Sequence, residues 1–180
     1  GGREAITRGI VHTFRILSRR PRPSRHEEAA GEELDAYLRG LGLSPVRDGA
    51  GNRMADVPPA PGRASAPRLI LQGHLDMVCQ QNAGTGHDFT RDPIRPVLKD
   101  GWLVAENTTL GADNGLGVAM ILALLESDDL PHGPLGALFT VDEEAGMGGA
   151  RGLAPANCGA ACCSTWIPRT GASSIWAAPA

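Results

Sequence analysis

Residues 69–76, LILQGHLD, decide the architecture. Leu69, Ile70 and Leu71 form a short, continuously apolar run, which marks a strand covered on both faces. Leu116–Leu125 is apolar nearly all round and reads as a buried helix, and Leu135–Val141 is the next run of strand length. Strand, helix, strand in this order predicts an α/β domain with a central, mostly parallel sheet flanked by helices. In such sheets ligands collect beyond the carboxyl ends of the strands. His74 and Asp76 follow the first run, Glu143 and Glu144 in VDEEAG (141–146) follow the second, and Asp113 in GADNG (111–115) precedes the helix.

Upstream, Ile6, Ile10, Phe14 and Leu17 are spaced as one face of an amphipathic helix, which Pro21 and Pro23 end. Ser24 lies three residues before Glu27, the spacing of a capping box. Ala30, Leu34, Tyr37, Leu38 and Leu41 then predict a second helix that stops at Gly42. Ser44–Arg47 and Arg53–Val57 flank Asp48-Gly49-Ala50-Gly51-Asn52 as a hairpin would. A second hairpin is expected from 97–98 and 102–104 around Asp100-Gly101, with a Pro/Ala/Gly loop over 58–67.

At 180 residues the chain can build one sizeable core, and no segment approaches the roughly 20 apolar residues that cross a bilayer. The net charge of −3 and the scattered arginines argue against a nucleic-acid face. No signal peptide is evident, because Thr13 and Arg15 interrupt the first apolar stretch. Cys79 stands alone and Cys158, Cys162 and Cys163 lack zinc-ribbon spacing, so a cytoplasmic location is expected. The chain opens Gly1-Gly2 rather than with Met, which suggests a fragment.

His74, Asp113 and Glu144 together offer one nitrogen and two carboxylates, a set suited to Zn²⁺, Mn²⁺ or Co²⁺. Each has a plainer reading: a hydrogen-bonded structural histidine, a helix cap at Asp113, a solvated turn at Glu143-Glu144. Their joint placement at one sheet edge favours the metal. His12, His26, His87 and His132 lack an acidic pair beside them and are expected at the surface or in loops. Gly146, Gly148 and Gly149 could suggest a phosphate cradle, but the two preceding carboxylates would repel an anion.

From Pro21-Arg22-Pro23-Ser24 through GHLDMV (73–78), HDFTRDPI (87–94), TTLGADNG (108–115) and EEAGMGGARGL (143–153), the sequence resembles the aminoacyl-histidine dipeptidase family. That family, the β-alanyl-histidine or cytosol nonspecific dipeptidases, belongs to the cocatalytic-zinc peptidases, and the resemblance runs from about residue 5 to 153. It implies the N-terminal part of a zinc-exopeptidase-like catalytic domain, with a dipeptide of the Xaa-His type as substrate. It also implies two Zn²⁺ per intact site and a homodimer for the intact protein, with no nucleic-acid or membrane partner. By the same resemblance His74 and Glu144 are ligands of different ions, Asp113 bridges both, Asp76 orients the imidazole, and Glu143 is the general base. An N-acyl-amino-acid deacylase, or a noncatalytic fragment that binds a single ion weakly, is the alternative.

The family also has an Asp ligand in an NLD segment after the Glu pair, a His ligand near its far C-terminus, and an inserted lid domain. This chain has no Asp or Glu after Glu144, no His after His132, and no room for the lid. Periodicity vanishes after Leu153, and residues 154–180 show no strand or helix pattern. Trp has only the codon TGG and Ile begins AT, so reading from the third base across Trp166-Ile167 gives GAT, an Asp codon. With permitted codons elsewhere the shifted frame yields an NLD-like segment. Residues 1–153 are therefore expected to be a partial metallopeptidase catalytic domain, and 154–180 a non-native tail from a shifted frame starting between 154 and 161. The truncated chain is expected to be inactive.

Overall fold

The computed structural model describes residues 2–127, 130–153 and 162–165. Two helices lead, α1 over Gly2–Ser18 and α2 over Glu28–Gly40. Phe14, Leu17, Ala30, Leu34 and Leu38 are their buried apolar residues and lie on the stripes that the spacing marks out, but Ile6, expected on the α1 stripe, is 61% exposed. The start of α2 differs from the sequence expectation: Glu27 is its N-cap and no side chain caps it. Ser24 is drawn instead into a tertiary hydrogen bond with Asp76, a stronger partner because the acceptor is a buried charge.

The short strand β1 (Val46–Arg47) and β2 (Arg53–Val57) form the first hairpin. Leu69–His74 is β3; Pro96–Lys99 and Trp102–Ala105 are β4 and β5, a separate two-stranded hairpin. Helix α3 spans Ala112–Leu125, and β6 spans Leu135–Thr140 with every residue buried. A four-residue helix, α4 (Gly148–Arg151), and strand β7 (Cys162–Thr165) complete the described elements.

The five-stranded sheet has the order β1-β2-β6-β3-β7. Its centre is parallel, with Leu69 opposite Leu135 and His74 opposite Thr140, while the β1–β2 hairpin adds to β6 antiparallel. The sheet is thus mixed, parallel between β3 and β6 and antiparallel where β2 docks on β6. Leu17, Leu34, Leu38, Ala55, Leu75, Val118, Ile121, Leu122, Ala137 and Phe139 form one core between the helices and one sheet face. β7 departs from the expected lack of structure after Leu153: Leu69 to Gln72 pair with Cys162 to Thr165 in parallel. Backbone pairing on the free edge of β3 needs no side-chain periodicity. Residues 154–161 and 166–180, which hold the rest of the expected tail, lie outside the described residues.

Candidate metal centre

The parallel register sets the site. β3 and β6 end side by side, so the segments leaving them, 74–77 and 141–144, emerge at one edge. α3 begins at the same edge: its N-cap is Gly111, and Asp113 has an extended backbone (φ −88°, ψ 113°) inside the nominal first turn. Asp113 is therefore not the cap, and its carboxylate is free to face the strand ends.

His74 Nε2 lies 3.2 Å from Asp113 Oδ1 and 3.9 Å from Glu143 Oε2. His74, Asp113 and Glu144 each present one ligand atom, and these atoms lie within 4.8 Å of one another. Two ligand atoms on a tetrahedral Zn²⁺ with bonds near 2.0–2.1 Å stand about 3.3 Å apart, so the imidazole and the Asp113 carboxylate already have the spacing of a bound pair. His74 is buried while the Asp113 side chain is 61% exposed, which leaves one side of the cluster open to solvent. Among the described residues this is the one such group of three; His12, His26, His87 and His132 join none. The residues present fit one divalent ion.

Asp76 organises the cluster from behind. It is fully buried. Its carboxylate accepts the Ser24 hydroxyl at 2.6 Å and the backbone N–H groups of Glu143 and Glu144 at 3.0 Å each. His74 Nδ1 lies 3.0 Å from the Asp76 carbonyl oxygen and 3.4 Å from Oδ1. Both neighbours are acceptors, so Nδ1 carries a hydrogen; Nε2 donates to Asp113 Oδ1 in the metal-free protein, and loss of that proton would free its lone pair for an ion.

The charges follow from this arrangement. Burial pushes the Asp76 carboxyl upward, but hydrogen bonds from His74, Ser24, Glu143 and Glu144 hold it well below the ordinary range. Burial lowers the His74 imidazole, yet its hydrogen bond to Asp76 and the negative charges of Asp76, Glu143 and Asp113 raise it overall. Glu144 is raised, first by burial and then by Glu143, Asp113 and Asp76, against the lowering effect of His74. A divalent cation bound by His74 and Glu144 would take the place of the protons these two groups hold.

Other groups fix the loop that carries the two glutamates. Glu27 Oε1 accepts the Asp142 N–H at 2.8 Å. Asn52, fully buried, donates to Gly149 O at 2.9 Å and accepts from Val141 N at 3.2 Å. A Cβ on Gly149 would sit 2.5 Å from Val141 O. Gly148 and Gly149 therefore serve close packing, Gly148 against Asp142 and Gly149 against Asn52 and Val141, while Gly146 has open space around it. Sequence reasoning missed Asn52, Glu27 and Arg22 as supports, because nothing in their local spacing signals contacts that close over tens of residues.

The sheet order and an imidazole–carboxylate cluster at the open ends of the strands make a candidate metal site. A profile of the peptidase family M20/M25/M40 matches residues 70–168, and the chain belongs to that family. The match continues beyond Leu153, where the motif resemblance stops. The chain is 47% identical over 133 residues to the cytosol non-specific dipeptidase of Escherichia coli K12, covering 74% of this chain and 27% of that protein. The structure of aminoacylhistidine dipeptidase from Vibrio alginolyticus is similar with a TM-score of 0.78 and 44% identity, covering 81% of this chain and 30% of that one. A Staphylococcus aureus tripeptidase gives 0.68 and 26%, covering 81% and 39%. The chain thus spans roughly a quarter to two fifths of the length of these relatives. Among the described residues no helix is long and apolar enough to cross a membrane.

Proposed function

We propose that this chain carries the first half of the metal site of a cytosolic dipeptidase that hydrolyses Xaa-His and related dipeptides. The observation that carries the reading is the convergence of His74, Asp113 and Glu144 within 4.8 Å, in a chain 47% identical to a dipeptidase. In the intact protein, a homodimer in this reading, the site holds two Zn²⁺, with Mn²⁺ or Co²⁺ as substitutes. In that intact site His74 and Glu144 would hold different ions and Asp113 would serve both, whereas in this chain one ion would take all three. Divalent cations held there would lower the pKa of a water and polarise the scissile carbonyl.

The protein's own groups do the rest. Glu143 lies beside the cluster with its side chain 30% exposed, able to take a proton from the attacking water and return it to the leaving amine. Asp76 fixes the tautomer of His74 and aims both glutamates through their backbone N–H groups. The three ligands in the described residues suffice for one ion, so this chain alone is a single-ion binder without turnover. In this reading residues 1–153 are the partial catalytic domain, and the tail beyond them derives from a shifted frame.

The test is hydrolysis of β-Ala-His or Ala-His with added Zn²⁺ or Mn²⁺. It compares this chain with a full-length version whose frame is restored from between residues 154 and 161. Turnover in the restored protein alone is expected. Equal turnover in both would show that the ligands are misassigned. Independent reads of the coding DNA that find one uninterrupted frame through residues 154–161 and on to the end of the chain would end the shifted-frame account.

A further inference from the structure

Arg22 is 2% exposed and carries its charge into the interior between α1 and α2. Nη1 donates to Leu75 O at 2.8 Å and Nη2 donates to Gly111 O at 2.7 Å. Nε has no hydrogen-bond partner. Among the described residues no carboxylate forms an ion pair with it. Burying a guanidinium with no carboxylate in contact is unfavourable: desolvation lowers its pKa to about 10, against the raising charges of Asp76 and Cys79. An apolar side chain would fill the space without that penalty, so the fork must supply something an apolar group cannot.

What it supplies is a tie between two backbones. Leu75 directly follows His74, and Gly111 lies two residues before Asp113. The carbonyls of these two residues are bridged by one rigid, planar fork. The loop is shaped around the fork: Gly111 has φ +71°, and a Cβ there would lie 2.5 Å from Arg22 Nη2; a Cβ on Gly115 would lie 2.7 Å from the same atom. Arg22 is itself anchored, since its carbonyl accepts Met77 N–H at 3.2 Å.

We propose that Arg22 is a positioning residue that sets the separation of His74 and Asp113 before any ion arrives, by holding Leu75 and Gly111 on one guanidinium. This rests on the reading of His74, Asp113 and Glu144 as a metal cluster. With the fork removed, the 111–115 segment relaxes away from β3 and the ligands lose their preset spacing.

The test uses the 180-residue chain, with Co²⁺ as the probe, and compares Arg22→Met, Arg22→Lys and the core control Leu38→Ala. Calorimetry reads affinity, the visible spectrum of Co²⁺ reads geometry, and amide exchange of the metal-free protein reads residues 111–115. Arg22→Met is expected to weaken Co²⁺ binding about 10- to 100-fold, the range for groups that orient ligands. It should also alter the spectrum and speed exchange at 111–115. Arg22→Lys keeps the charge but cannot reach both carbonyls at once, so it should fail to restore the spectrum; this arm decides the question if Arg22→Met does not fold. Leu38→Ala should lose stability while keeping wild-type affinity and spectrum. Wild-type affinity and spectrum in Arg22→Lys or in a folded Arg22→Met would overturn the positioning role. Wild-type protein that takes up no Co²⁺ would overturn the metal reading and this role with it; unchanged exchange at 111–115 in a folded Arg22→Met would overturn the tie alone.

Discussion

The carboxylate of Asp76 accepts the backbone N–H of Glu144 at 3.0 Å, so a residue at the end of β3 fixes the direction of the chain leaving β6. The same carboxylate holds Glu143 N and Ser24 Oγ. An asparagine there would turn an amide N–H toward a donor. Asp76→Asn should lower stability by about 2–4 kcal/mol, the range for lost hydrogen bonds to a buried charge with donors left unpaired. Chemical denaturation measures it; a change within about 0.5 kcal/mol would mean that the donors find water instead.

The acid limb of stability carries the same signature. Because the folded-state pKa of Asp76 is depressed, its contribution is fully present above the ordinary carboxylate pKa. It is lost as the pH falls below that value toward the depressed folded-state one. In chelator, wild-type protein should lose its advantage over Asp76→Asn as the pH drops below about 4. An advantage that persists unchanged in acid would remove the carboxylate as its source.

Ser24→Ala tests the reassignment of that hydroxyl. It should cost about 1–3 kcal/mol, as expected for a hydrogen bond to a charged acceptor, and leave the length of α2 unchanged because Glu27 is the cap. Circular dichroism and melting decide it. Loss of helix signal in the folded variant would return Ser24 to the capping role.

Gly149→Ala should destabilise by about 1–3 kcal/mol through overpacking against Val141 O and Asn52. Gly40→Ala, with open space around it, serves as the control and should be neutral or slightly stabilising. Equal melting temperatures for the two would contradict the close approach of α4 to the end of β6.

Much of this arrangement is legible in the sequence. The apolar runs at Leu69–Leu71, Leu116–Leu125 and Leu135–Val141 are long enough for burial to dictate their pairing, and their order fixes which ends carry His74, Asp113 and Glu144. Ser24 and Glu27 were harder to read, since a capping-box spacing and two tertiary contacts use the same letters. Arg22 gives no local signal, because its partners lie 53 and 89 residues away. β7 has no pattern to read, as its pairing is a property of the open β3 edge. The mixed sheet follows from where the hairpin docks, which periodicity does not encode.

The central claim is that three short segments form one divalent-cation site. A zinc-soaked crystal of the chain, with anomalous diffraction collected at the zinc edge, tests it most directly. The account predicts an anomalous peak about 2.0–2.2 Å from His74 Nε2 and from carboxylate oxygens of Asp113 and Glu144. Those side chains splayed apart with no zinc among them would contradict it.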